Sequence, residues 1–84
     1  MATVIVRYFA SLREALGASE TVDCPAGGTL GQLRDALIAR GGRHADALAR
    51  GRALRCALNQ VMADESSVVA DGAEVAFFPP VTGG

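Results

Sequence analysis

The 84-residue sequence predicts an α+β fold, a roll in which a mixed β-sheet packs on one main helix. Three observations support this prediction. The chain opens with a β-branched and aromatic run, TVIVRYF at 3–9, and a similar run, EVAFF, lies at 74–78. Between them, leucines recur at spacings of three and four at 30–37, as on a helix with one apolar face. The other strand-like segments are short and separated by turn residues.

The first part of the chain predicts a strand, a short helix and a second strand. Residues 3–9 carry apolar groups on both faces, so we expect one face in the core and the other partly covered. The segment Ser11-Leu12-Arg13-Glu14 fits a capping box in which Ser11 caps a short helix, and Gly17 ends that helix. Residues 20–24 predict the second strand, which stops at Pro25.

The main helix is predicted to follow Thr29, which forms a second capping box with Gln32. Gly41-Gly42 is expected to end this helix, and Ala45–Arg50 predicts another short helical turn. The expected apolar face consists of Leu30, Leu33, Leu37 and Ala36.

The remaining segments predict short strands joined by turns. Residues 54–58 form a strand with positions 54, 56 and 58 inward and Arg55 outward. Asn59-Gln60 predicts a turn before a short edge strand at 61–62, and 64–67 is a polar loop. A short strand is possible at 68–69, and Asp71-Gly72 predicts the turn before the last strand, 74–78.

We expect the first and last strands to lie side by side at the centre of the sheet. This is the arrangement of a β-grasp, ubiquitin-like fold. We therefore expect one β-grasp domain over residues 1–84, with 79–84 projecting as a tail. Alternation along the last strand places Val75 and Phe77 on one face and Ala76 and Phe78 on the other. Phe77 is predicted in the core and Phe78 exposed for partners.

Composition and charge exclude several classes of function. Half of the residues are apolar and the net charge is −1, which argues against nucleic acid as the main partner. No apolar stretch is long enough to span a membrane, and residues 1–10 lack a secretory signal pattern. We expect a cytoplasmic protein that does not bind membranes.

Side chains that could carry catalysis are few. His44 and the pair Asp64-Glu65 are expected to be solvated surface groups. Cys24 and Cys56 are expected as small buried hydrophobes, with a reactive thiol as the alternative. No phosphate loop, metal cluster or nucleophile motif is present, so we expect no bound cofactor or metal and no enzyme acting alone.

The C-terminal residues are the remaining candidates for chemistry. Pro79-Pro80 predicts a stiff, extended arm that carries the end of the chain away from the body. Glycine has no Cβ, so Gly84 leaves its carbonyl open to attack and Gly83 keeps the thread narrow. A carboxylate with these properties suits activation by ATP-dependent adenylation, followed by attack of a nucleophile.

The segment Asp71-Gly72-Ala73-Glu74-Val75-Ala76-Phe77-Phe78-Pro79-Pro80-Val81-Thr82-Gly83-Gly84 closely resembles the C-terminal signature of the MoaD/ThiS sulfur-carrier family. Residues 6–14, VRYFASLRE, also resemble the start of the MoaD branch, the small subunits of molybdopterin synthase. Length and element order agree with that branch over the whole chain.

This resemblance implies a reaction cycle at the tail. A MoeB-type, E1-like enzyme uses ATP to adenylate Gly84, and a sulfurtransferase system converts the adenylate to a thiocarboxylate. The loaded tail then enters a MoaE-type large subunit in a heterotetramer and donates sulfur to cyclic pyranopterin monophosphate. The expected partner contacts are Phe78, Pro79, Pro80, Val81 and Thr82, with Gly83 threading the tail.

Three alternatives stay open at this point. The chain could carry sulfur for thiazole or cysteine synthesis, which leaves the chemistry at Gly84 unchanged. It could be a ubiquitin-like modifier joined through Gly84 to lysines of other proteins. It could also be a binding module whose tail has no chemistry.

Overall fold

The computed structural model describes residues 2–80, and the fold is a five-stranded mixed sheet with three short helices. The strands are β1 (Ala2–Tyr8), β2 (Ser19–Cys24), β3 (Arg55–Leu58), β4 (Val61–Ala63) and β5 (Glu74–Phe78). The helices are α1 (Ser11–Leu16), α2 (Leu30–Ile38) and α3 (Gly42–Ala47).

The sheet has the order β2-β1-β5-β3-β4, with β1 and β5 parallel and every other neighbouring pair antiparallel. The first and last strands therefore lie side by side in the interior of the sheet. This is the predicted β-grasp arrangement, and it is confirmed. Because β5 has a neighbour on each side, the chain that leaves it starts from a fixed position.

The core lies between the sheet and the helices. In β1 the even-numbered side chains are buried and the odd-numbered ones exposed, so the strand has one core face. The predicted leucines at 30, 33 and 37 on α2 are buried against that face, as is Phe77 of β5, whose side chain is 1% exposed. The burial of Phe77 was predicted from alternation and is confirmed.

Two predicted helix boundaries differ from the structure. Ala10, not Ser11, is the N-cap of α1, with φ 54° and no side-chain cap bond, so the first capping box is wrong. The chain turns sharply after β1, and the amides of Leu12 and Arg13 already bond to the carbonyls of Phe9 and Ala10. Ser11 is thereby inside the helix, where its hydroxyl cannot cap it.

The helix α2 begins as predicted but ends early. Both bonds of the Thr29–Gln32 capping box are present, with the Gln32 amide donating to Thr29 Oγ1 at 3.2 Å. The last helical residue is Ile38, and Gly41 caps α3 instead of ending α2. The turn at 45–50 was predicted three residues late, since α3 occupies 42–47.

The short strands follow the prediction with small shifts. Asn59 and Gln60 have φ of 51° and 69°, as a tight hairpin turn between β3 and β4 requires. The candidate strand at 68–69 reduces to a single bridge between Thr29 and Val68.

Candidate functional site

The root of the tail is the C-terminal end of β5 with Pro79 and Pro80. In the register, Phe77 lies opposite Tyr8 on one side and Cys56 on the other. The Phe9 amide extends the pairing by donating to the Phe77 carbonyl at 3.3 Å. Phe78, Pro79 and Pro80 are all half-buried. Phe78 is therefore less exposed than predicted. The predicted partner contacts Val81 and Thr82, the threading residue Gly83 and the reactive residue Gly84 lie outside the described residues.

An aromatic pair occupies the outer side of the root. The rings of Phe9 and Phe78 meet edge to face, with centroids 6.5 Å apart and an angle of 85° between planes. The Arg7 guanidinium carbon lies 5.7 Å from the centre of the Phe9 ring, a cation–π distance. Arg7 also lies 3.8 Å from a carboxylate oxygen of Glu74. The Phe9 side chain is 41% exposed, so part of this apolar surface is open.

Phe9 is a candidate site residue that the sequence analysis missed. The signal was present, because Ile5, Arg7 and Phe9 alternate on the outward face of the first strand. What the pattern could not provide was the pairing partner. Only the parallel register of β1 and β5 places Phe9 next to the tail root.

A groove of about 660 Å³ lies beside the root. It is enclosed by α1, α3, the segment 52–54 and Pro79. Its apolar lining is buried or half-buried except for Ala53, which is exposed, and its charged lining is exposed. The apolar lining includes Leu12, Ala15, Ala47 and Leu54; the charged lining is Glu14, Arg43, Asp46 and Arg52.

The segment that forms one wall of the groove is fixed by a buried arginine. Arg34 of α2 is 4% exposed, and its guanidinium donates to the carbonyls of Leu48 (2.8 Å), Ala49 (2.6 Å) and Arg52 (3.2 Å). It also donates to Glu65 at 2.9 Å. One side chain therefore ties the 48–52 loop and the 64–67 loop to the main helix.

Glu65 is not the solvated group that was predicted. It accepts from both Arg34 and Arg50, and Arg50 also pairs with Asp35 at 2.8 Å. The hydrogen bond from Arg50 holds the pKa of Glu65 below its usual value, burial opposes this, and the bond from Arg34 adds to the lowering.

His44 is likewise not a free surface group. Its Nε2 lies 2.7 Å from Oε2 of Glu20, an oxygen that also accepts from the Tyr8 hydroxyl at 2.8 Å. Arg40 donates to the other Glu20 oxygen at 2.5 Å. Burial alone would raise the pKa of Glu20, but the bonds from His44, Arg40 and Tyr8 outweigh it and lower the pKa to about 2. Burial, followed by the bond to Glu20, raises the pKa of Tyr8.

The described residues offer no other reactive centre. Cys24 and Cys56 are free and buried, as predicted. Burial raises the pKa of each thiol, which keeps both in the less nucleophilic neutral form. Within residues 2–80, no group of His, Cys, Asp and Glu side chains could hold a metal ion. None of the helices described is long and apolar enough to cross a membrane.

Comparison with known proteins gives consistent matches over nearly the whole chain. Residues 6–84 match the model of the ThiS family. A molybdopterin synthase sulfur carrier subunit from Escherichia coli (strain K12) is 42% identical over 79 residues, which cover 94% of this chain and 96% of that protein.

Two solved structures are also similar. SAMP1 from Haloferax volcanii superposes with a TM-score of 0.79 at 28% identity, over 99% of this chain and all of the other. A chain in the complex of subunits 1 and 2 of the molybdopterin-converting factor from Helicobacter pylori 26695 gives a TM-score of 0.67 at 25% identity, covering 98% and 99% of the two chains.

Proposed function

This chain belongs to the ThiS family, and from that membership we propose that it is the sulfur carrier of molybdopterin synthesis, acting through the carboxyl group of Gly84. The observation that carries the proposal is the position of the tail root. β5 is paired on both sides and delivers Pro79 and Pro80 from the centre of the sheet. The relative from Escherichia coli, named a molybdopterin synthase sulfur carrier subunit, supports this acceptor.

The chemistry requires only the tail from this chain. An oxygen of the Gly84 carboxylate attacks the α-phosphorus of ATP, and pyrophosphate leaves. A hydrosulfide equivalent, released from the persulfide of a sulfurtransferase by a thiol reductant, then attacks the acyl carbon, and AMP leaves with the electron pair of the broken C–O bond. The product is a thiocarboxylate, whose sulfur passes to cyclic pyranopterin monophosphate. Water finally restores the carboxylate at Gly84.

The described residues contribute position, not catalysis. Phe9 and Phe78 present an apolar surface beside the root, suited to docking on the proteins that receive the tail. We propose that residues 79–84 act as the projecting part of a single carrier domain. Gly83 has no side chain, so the tail is narrow enough there to enter a tight channel. No resident cofactor is proposed, because ATP is consumed by the activating enzyme.

The proposed partners are a MoaE-type large subunit, a MoeB-type activating enzyme and a sulfurtransferase. The large subunit has the most direct support, since a similar chain is found in a complex of subunits 1 and 2 of a molybdopterin-converting factor. The other two follow from the chemistry, because a carboxylate must be activated before sulfur can replace its oxygen.

A second function is supported by the likeness to SAMP1, which has also been solved under the name small archaeal modifier protein 1. A modifier would join the Gly84 carbonyl to a lysine amine of another protein. Covalent conjugates that survive denaturation, and that disappear when Gly84 is deleted, would support this function over sulfur transfer.

Intact-mass measurement tests the proposed function. The chain is incubated with ATP, the activating enzyme and a sulfur donor, and we expect one oxygen to be replaced by sulfur. Deletion of Gly84 should abolish sulfur transfer, and Gly84→Ala should load poorly because its methyl group crowds the carbonyl. Both variants should melt at the temperature of the parent chain. Normal product formation by the deletion variant would rule out the assignment.

A further inference from the structure

The groove beside the tail root is not used by the proposed reaction. Its wall at 52–54 is fixed by the bonds of Arg34 to the loop carbonyls, and its opposite walls are the helices α1 and α3. Pro79 is one of its lining residues, so the chain passes the groove immediately before the last four residues. A volume of about 660 Å³ is within the range of pockets that hold small ligands.

Two arginines in this groove can receive an anion. Arg43 and Arg52 form no ion pair with any carboxylate in the described part of the chain. Arg52 is nonetheless held in place, because its Nε donates to the Asp46 carbonyl at 2.7 Å and its own carbonyl accepts from Arg34. Its terminal nitrogens have no hydrogen-bond partner among residues 2–80.

The groove also contains Glu14 and Asp46, so its four charged side chains sum to zero. An anion is therefore held there by local pairing with an arginine and not by a general positive potential. Such a contact is weak and salt-sensitive. It would bind measurably only a ligand that is already present at high local concentration.

The end of the chain is such a ligand. Four residues follow Pro80, and at about 3.3–3.6 Å per residue they extend at most about 14 Å. The Gly84 carboxylate is thus confined near the groove, at an effective concentration of about millimolar or more. Val81 matches the apolar lining, and the two glycines need little width.

We propose that the chain's own residues 81–84 dock in this groove, with the Gly84 carboxylate on Arg52 and Arg43. In this state the carboxylate is withheld from the activating enzyme. That consequence depends on the proposed function, whereas the docking itself does not. A tail docked for half to four-fifths of the time would lower the apparent rate constant for loading about two- to fivefold.

Amide chemical shifts test the docking without any sulfur chemistry. Spectra of the full chain are compared with those of a chain ending at Pro80. We expect shifts at Ala15, Ala47 and Leu54 of the groove, and none at Val22 on the far edge strand β2. Groove amides that do not respond to the truncation would overturn the proposal. So would shifts that depend on protein concentration, because these would indicate docking between copies.

Charge variants identify the anion site. Arg52→Gln in the full chain should remove most of the shift difference between full and truncated chains and raise loading two- to fivefold. The control is Arg13→Gln, since Arg13 is exposed on α1 but does not line the groove. Equal effects of the two variants would contradict a specific site. If the shifts behave as expected but no sulfur is loaded, the docking stands and the proposed function fails. If sulfur is loaded but the groove amides do not respond to the truncation, the proposed function stands and the docking fails.

Discussion

The two sides of this molecule are held together by different kinds of contact. Around α2, charged side chains make multiple short hydrogen bonds to neighbouring loops, with Arg34 reaching three carbonyls and Glu65. At the tail root, contact is made by aromatic edges, chiefly Phe9 against Phe78. No side-chain hydrogen bond in the described part of the chain involves Phe9, Phe78 or the two prolines that follow.

This difference separates the residues that maintain the fold from those that form the surface at the tail root. Buried, directional bonds specify one arrangement and cost much when broken. Apolar surface that is only half-buried can exchange one partner for another, which is compatible with the proposed carrier function. Variants on each side of the molecule test this separation.

The adjacent pair Phe77 and Phe78 gives the strongest contrast. Phe77→Ala leaves a cavity in the core and should lower the free energy of unfolding by about 3–5 kcal/mol. Phe78→Ala should cost about 1 kcal/mol in stability but weaken binding to the large subunit roughly 10- to 100-fold. Urea unfolding and titration calorimetry measure the two quantities. A stability loss at Phe78 that exceeds its loss of binding would indicate that this ring only packs on the body.

Arg34→Met tests the hydrogen-bonded side. The substitution keeps much of the apolar stem but removes the side-chain donor to the carbonyls of Leu48 and Arg52, and one of two donors to the Ala49 carbonyl. We expect the free energy of unfolding to fall by about 2–4 kcal/mol. Arg13→Met, on the exposed face of α1, is the control and should change stability by less than about 0.5 kcal/mol. Similar unfolding midpoints for both variants would contradict the role assigned to Arg34.

The two capping motifs provide a matched pair. Thr29→Ala removes a cap bond at the start of α2 and should cost about 1 kcal/mol. Ser11→Ala should be nearly neutral, because Ser11 lies inside α1 and caps nothing. Thermal unfolding of both variants measures the difference. Equal losses would mean that Ser11 does cap its helix in solution.

Acid unfolding tests the Glu20 cluster, whose contribution to stability is lost at low pH. The folded-state pKa of Glu20, about 2, is below its ordinary value of 4.5. The stability that this carboxylate contributes is therefore complete above about pH 4.5 and is lost as the pH falls through about 2. Glu20→Gln should flatten the stability curve between these limits. An unchanged slope would show that other carboxylates, such as Glu65, account for the acid sensitivity.

Much of the fold follows from local pattern alone. The core face of β1, the leucine spacing of α2 and the Thr29 capping box each depend on residues close in sequence, and all were predicted. The other face of β1, expected to be partly covered, is exposed. The capping box at Ser11 was predicted wrongly because the local sequence does not determine whether Ala10 or Ser11 occupies the N-cap position. The chain turns directly after β1, which places Ala10 at the N-cap position with φ 54°.

The errors at His44 and Glu65 have a different origin. Each was expected in water because its neighbours in sequence are polar, but its partners lie 24 and 31 residues away, at Glu20 and Arg34. Phe9 was missed for the same reason. Pairing across the chain decides these environments, and no local pattern contains it. The site proposed in the tail needed no such information, because it consists of consecutive residues.

The parallel pairing of β1 with β5 has a kinetic consequence. Ile5 lies opposite Glu74, so the contact at the centre of the sheet closes a loop of 74 − 5 = 69 residues. The hairpins β1–β2 and β3–β4 join much closer segments and can form first, while the central pairing carries the larger entropic cost of loop closure. The tail root consequently acquires its fixed position only when the whole sheet is assembled. In a partly folded chain, the residue from which the tail leaves would not yet be held in the sheet.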